Sequence, residues 1–386
     1  MRIKRTQLRL PVVAAAIGLI ALVVVAPAAA KRHHHHTPRT RAVYVSPTGA
    51  ASKSDTSCRH AKFSSIQAAI EAAPLGGKVV VCRGTYHEMV TVDRRLTLAG
   101  QPRATIDATG NAYGVGVTAD YSTVRGLRIM NASPLDPQNG KLADGIATIG
   151  LGPTGPVAAD HVRIIGNIVT GNLGNGIDLN STAHSVAIGN VANGNGVGVN
   201  VGDDLSRASS HNRVSHNVTN KNFGGCGIAL ADHTGAGVTD NLVDHNVAND
   251  NGLSTPTAPD ASAGSGVIIA SPIPNGVLTG NTITQNSFKG NGHGGVVVHS
   301  HAPGADLSGN VISKNLIGTN NLRTDVNDLQ TTGIYLGSAS ALTITVTGNQ
   351  IHDDYYGIFA SGPVSVAEGN NHYRNVTAPL GLFPTF

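Results

Sequence analysis

Apolar residues alternate with small or polar ones along this chain, but only in short runs. Lys78 to Cys82 and Val90 to Leu98 read as the first strands, and in phrase after phrase from there to about residue 376 four or five residues alternate and then stop at Gly, Asn or Ser. Period-two spacing over so short a run predicts strands, and neither repeated phrase is long enough for a helix. The stops are turn residues that tolerate left-handed backbone. Two phrases repeat. One is an Asn followed five places later by a second Asn: Asn167/Asn172, Asn190/Asn195, Asn217/Asn222, Asn241/Asn246, Asn281/Asn286, Asn310/Asn315 and Asn370/Asn375, with Asn349/Asp354 as a variant. The other opens on Gly and Ile or Val, as in Gly176-Ile177, Gly196-Val197, Gly227-Ile228, Gly266-Val267, Gly295-Val296 and Gly333-Ile334.

The closest copies lie 21 to 29 residues apart, the period of a stacked-repeat architecture. Short strands and tight turns at this period predict an all-β solenoid, a parallel β-helix whose equivalent strands pair about 4.8 Å apart. One Ile or Val per strand faces inward. Asn at equivalent turns can bond its copies above and below, which makes these Asn residues ladder members rather than ligands. Before the repeats, Ser64-Ser65-Ile66-Gln67 has the spacing of a capping box, and Ile66, Ala69, Ile70 and Ala73 follow helical spacing until Pro74 and Gly76-Gly77. A short capping helix over about 65–73 is expected.

Residues 1–30 read as an export signal: Arg2, Lys4, Arg5 and Arg9, an apolar run from Leu10 to Val25, then Ala28-Ala29-Ala30. No other segment is apolar enough to span a bilayer. Residues 31–42 form a His/Arg-rich linker, and 43–386 the β-helix domain. The location expected is secreted or cell-envelope. The net charge of +4 belongs to the leader: eight of the 27 Lys/Arg lie in residues 1–41, which hold no Asp or Glu, so the remainder carries 19 basic against 23 acidic groups. A nucleic-acid partner is disfavoured, because phosphate binding needs a basic surface. Cys58 and Cys82 are the expected disulfide of an exported chain, and Cys226 is left as a buried thiol.

Val43-Tyr44-Val45-Ser46, Ile66-Gln67-Ala68-Ala69-Ile70, the strand from Gly77 to Cys82, Gly84-Thr85-Tyr86 and Leu96-Thr97-Leu98-Ala99-Gly100 resemble the opening of secreted right-handed parallel β-helix proteins of the pectin-lyase-like superfamily. The later coils resemble the repeat region shared with NosD-type periplasmic proteins. The resemblance implies a single-stranded right-handed helix from residue 43 to about 376. It leaves the activity open, since that fold carries many chemistries.

Polygalacturonase-like members carry Asp-Asp and Gly-His-Gly on adjacent turns. Here Asp203-Asp204 and Gly292-His293-Gly294 are about 90 residues apart, so that site is not expected. A lyase needs a base and a cation beside it. The outward row of the Gly-Ile/Val sheet reads Asp178, Gly198, Ala229, Ile268, Val297, Tyr335 and Phe359, with one ionisable group and no Lys or Arg. The following corner is richer. It offers Asp203, Asp204, His233 and His301 for acid/base roles, and Asp232 and His299 for a Ca²⁺ or transition-metal site. Insertions at 132–143, 247–264 and 316–331 would wall a groove over this sheet, with Asp178, Tyr335 and Phe359 as a sugar-binding floor. The expected partner is an extracellular or envelope polysaccharide, bound by the chain, with processing by lyase, hydrolase or epimerase chemistry left open. The rival expectations are an envelope metal-handling factor, motivated by His33–His36 and the His-rich corner, and an adhesive solenoid with no site.

Overall fold

The computed structural model describes residues 42–49, 55–134, 143–253, 264–323 and 330–385. The expected signal and the linker up to residue 41 lie outside these residues, as do 135–142, 254–263 and 324–329 at the centres of the three expected insertions.

The chain winds as a right-handed parallel β-helix with three walls. A long wall holds twelve strands, from Val43–Val45 to Val364–Gly369. A second wall of eleven strands, from Val90–Val92 to Ala378–Phe383, contains the Gly-Ile/Val phrases and is called here the groove wall. The third is two five-stranded blocks joined by bridges through Val191, Val218 and Val247. One antiparallel hairpin, Ile149–Gly152 with Gly155–Ala158, interrupts the coil pattern. The inward column of the groove wall is Val199, Ile228, Val267, Val296, Ile334 and Ile358, all fully buried and in direct register. Each such side chain contributes roughly 1.5–3 kcal/mol by leaving water. β-Branched residues suit the column because they pack well on a pleated surface.

The Asn phrase resolves differently from its sequence reading. It is three amide columns, not one pair per coil. The first runs Asn167, Asn190, Asn217, Asn246, Asn286, Asn315, Asn349 and Asn371, each successive amide or backbone N–H donating to the next Oδ1, as in Asn217 to Asn246 at 3.0 Å. The second runs Asn172, Asn195, Asn222, Asn251, Asn291 and Asn320, and ends on Asp354. The third is Asn212, Asn241, Asn281 and Asn310. Asn217/Asn222 therefore joins columns one and two, whereas Asn241/Asn246 joins three and one. In the last coil Asn371 takes the ladder place, and Asn370 sits in a turn at φ 53°. All members but Asn371 are buried, and burial is tolerable because the column amides bond their neighbours above and below.

The helix forms at Ile66–Ala72 and buries Ile66, Ala69 and Ile70 in the apolar core. Its N-terminus is held differently from a capping box. Ser65 accepts from the Ala68 N–H, but Gln67 accepts from Thr91 N–H instead of reaching back. Glu88 supplies the missing acceptor, taking the N–H groups of Ile66 (2.9 Å) and Gln67 (3.2 Å) and the Ser65 hydroxyl (2.8 Å). An anion there also suits the helix dipole. Cys58 and Cys82 form the disulfide. Cys226 is a buried thiol 3.1 Å from Ser265 Oγ, and burial pushes its pKa up. Among the described residues no helix is long and apolar enough to cross a membrane.

Candidate functional site

The outward row of the groove wall begins at Asp178, but its next member is Asn200, not Gly198. Ala229, Ile268, Val297, Tyr335 and Phe359 follow in register. The expected flat floor is largely covered. Phe383 of the last strand stacks on Phe359 at 4.5 Å and leaves it 8% exposed. Tyr335, half-buried, stacks on Phe359 at 5.6 Å and meets the His293 ring at 5.1 Å. Asp178 is buried, accepting from Asn200 Nδ2 at 2.8 Å and Asn180 Nδ2 at 3.2 Å. Burial pushes its pKa up to about 7. Asp144, missed in the sequence, lies one coil earlier. Burial and then Asp178 raise its pKa, its Oδ1 accepts from Asn175 N–H at 2.7 Å, and its buried Oδ2 has no partner. The signal was there: Asp144-Gly145-Ile146-Ala147 repeats Asn175-Gly176-Ile177-Asp178 in register.

The Asp/His corner divides in two. Asp203 and Asp232 are fully buried and hold turns together. Asp203 accepts from His233 N–H (2.7 Å), Thr234 Oγ1 (2.6 Å) and Ala236 N–H (3.0 Å). Asp232 accepts from Gly235 N–H (2.7 Å) and Val277 N–H. The two carboxyls hydrogen-bond each other. Burial raises Asp232, with Asp203 adding to it; burial also acts on Asp203, but its hydrogen bonds outweigh that and hold it low. One proton shared between neighbouring carboxyls has this signature. Neither the catalytic role expected of Asp203 nor the metal role expected of Asp232 suits oxygens so committed.

Asp204 and His233 are the open half. His233 Nδ1 lies 2.7 Å from Asp204 Oδ1, and Asn180 Nδ2 donates to Asp204 Oδ2 at 2.7 Å. The hydrogen bond to His233 holds Asp204 low and raises His233. An ionised Asp204 can only accept, so Nδ1 donates and Nε2 faces no hydrogen-bond partner among the described residues. Asp203, Asp204 and His233 bring ligand-type atoms within 4.8 Å of one another, yet the oxygens of both carboxylates already accept hydrogen bonds, which leaves His233 Nε2 as the uncommitted ligand atom of the three. His233, His299 and His301 line an open depression of about 610 Å³, floored by Ile268 and Ala270 and edged by Pro272. His299 and His301 stand 5.5 Å apart ring to ring. Burial, then His301, lowers His299 to about 4, and its buried Nδ1 has no partner.

No protein-family profile matches the chain, and no curated protein does. Solved structures do. The Agl-KA catalytic domain aligns over 83% of this chain at 14% identity with a TM-score of 0.60; the chain spans 65% of it, just under two thirds. The A-module of a mannuronan C-5 epimerase from Azotobacter vinelandii aligns over 82% of this chain and 94% of its own at 19% identity and TM-score 0.56. A pectate lyase aligns over 88% and 78% at 16% identity and TM-score 0.52. The fold is that of pectin-lyase-like β-helices. The finer likeness to NosD-type proteins finds no support in these alignments.

In this β-helix the walls fix backbone positions coil by coil, so the corner side chains are presented from a rigid frame. Across the same depression the hydrogen bond to Asp204 pushes the His233 pKa up, while burial pushes that of His299 down. Such a split suits one group to donate a proton while the other accepts one. His293, three coils from Asp203, packs on Tyr335 and is lowered to about 4 by burial.

Proposed function

We propose that this protein binds a polysaccharide across the groove wall and hydrolyses it at the corner, with His233, oriented by Asp204, donating a proton to the departing glycosidic oxygen while neutral His299 takes a proton from the water that attacks the sugar carbon. The observation that carries the reading is the 2.7 Å His233–Asp204 pair at the lip of an apolar depression, with neutral His299 opposite. Apolar surface with a few placed polar groups is what sugar sites present. Polysaccharide-acting enzymes among the structural neighbours support the ligand class. The proposed location is extracellular or cell-envelope.

The test is incubation of the full chain with polyuronates and neutral glycans, reading binding and chain cleavage. His233→Ala should lower turnover about 10²–10⁴-fold, the usual worth of an acid/base group, with glycan affinity kept. Because His233 has a raised pKa and acts protonated, turnover should fall as pH rises through that value. In acid it should fall as Asp204 is protonated. Binding without cleavage in the wild type would overturn the catalytic half and leave an adhesive role. Absence of both would overturn the reading.

A further inference from the structure

A second histidine pair stands on the long wall, away from the corner just described. His216 and His245 occupy equivalent turn positions in successive coils, at φ 54° and 55°. Their rings stack at 4.7 Å with only 4° between planes. Between them in sequence and space lies Asp244, 4% exposed, which the Arg213 guanidinium grips with two bonds of 2.9 and 2.7 Å. A carboxylate held by that fork is ionised and can only accept hydrogen bonds.

This fixes the tautomer of His245. His245 Nδ1 is 2.8 Å from Asp244 Oδ2, so Nδ1 must donate. His216 Nδ1 lies 2.7 Å from Ser215 Oγ, so this ring too is anchored through Nδ1. The carboxylate orients one imidazole directly, and the neighbouring hydroxyl orients the other. Nε2 of each ring faces no hydrogen-bond partner among the described residues. A ring whose Nδ1–H is held by a carboxylate is the arrangement that metal-bound histidines need.

We infer that His216 and His245 form a binding site for a divalent transition ion such as Zn²⁺, Cu²⁺ or Ni²⁺, held through their two Nε2 atoms. Imidazole nitrogen suits these ions and not Mg²⁺ or Ca²⁺. In a tetrahedral shell, zinc–nitrogen bonds of about 2.0–2.1 Å place two ligand nitrogens about 3.3 Å apart, so the two stacked rings must turn out of parallel to converge on one ion; ligand-type atoms of His216, Asp244 and His245 already lie within 4.8 Å of one another. Space exists for water to complete the shell. The equivalent position one coil earlier is Gly189, and a Cβ there would meet nothing within 4 Å. Asp244 is not a ligand, since Arg213 and His245 already use its oxygens. It is the residue that positions the ligands.

The experiment is calorimetric titration of the full chain with Zn²⁺ near neutral pH, with Mg²⁺ as control. The His33–His36 tract is present in every sample and contributes equally. Wild type should bind one more equivalent of Zn²⁺ than either His216→Gln or His245→Gln. Ser215→Ala should keep the stoichiometry but weaken the site about 10-fold, because it frees the His216 ring. Equal stoichiometry in wild type and both His variants would overturn the site and leave the metal on the His33–His36 tract. Should a variant lose its fold, imidazole ¹H–¹⁵N spectra of the wild type decide: Zn²⁺ must shift Nε2 of His216 and His245, and unshifted signals overturn the inference.

Discussion

Asp354 shows how much a single atom weighs in this fold. It ends the second amide column, where every earlier described member is Asn. Its Oδ1 accepts from Asn320 N–H at 3.0 Å, but its buried Oδ2 has no partner, and burial pushes its pKa up to about 8. A raised carboxyl pKa means the folded chain keeps a proton that the unfolded chain releases. Stability from this group is therefore full below the ordinary carboxylate range and is lost as pH rises from about 4 through about 8. Asp354→Asn supplies a permanent N–H at that position. Denaturant melts should show the variant more stable by about 2 kcal/mol at pH near 8, with the difference vanishing near pH 4. An unchanged pH dependence would contradict the account.

At the scale of elements, the strands and the turn residues were readable from period and composition, and so was the helix at Ile66–Ala72. The register was not. Five-residue Asn spacing is the same whether it joins columns one and two or three and one, so only the strand pairing separates Asn217/Asn222 from Asn241/Asn246. Asp203 and Asp204 posed the same difficulty. Adjacent acids in a sequence look alike, but successive residues point to opposite sides, and one was turned inward to hold a loop while the other met His233. Glu88 at the helix N-terminus was illegible because it comes from another coil. The columns carry a testable load. Asn246 makes bonds to Asn286, Val214 and Asp244 while accepting two from Asn217. Asn246→Ala strands several buried polar groups and should cost about 3 kcal/mol in a denaturant melt. Asn371→Ala, in the part-buried final coil, should cost about 1 kcal/mol. Equal losses would mean that the amides do not act as a column.

For the molecule as a whole, each coil touches chiefly the coils before and after it, so stability is the sum of local stacks and neighbour interfaces. The columns also decide where the chain ages. Asn followed by Gly loses its amide when the next backbone nitrogen swings round to attack it, and Asn is for this reason a thermolabile residue. Asn195, Asn251 and Asn291 all precede Gly. In each, the amide is tied into the second column and the following nitrogen is bonded across to a carbonyl of the previous coil. Asn275-Gly276, on an exposed turn, has no such restraint on its side chain. Peptide mapping of protein stored warm should find aspartate and isoaspartate accumulating at Asn275 while the three column sites stay intact. The amides that hold the coils together are thereby kept from the decay to which their own sequence would otherwise expose them.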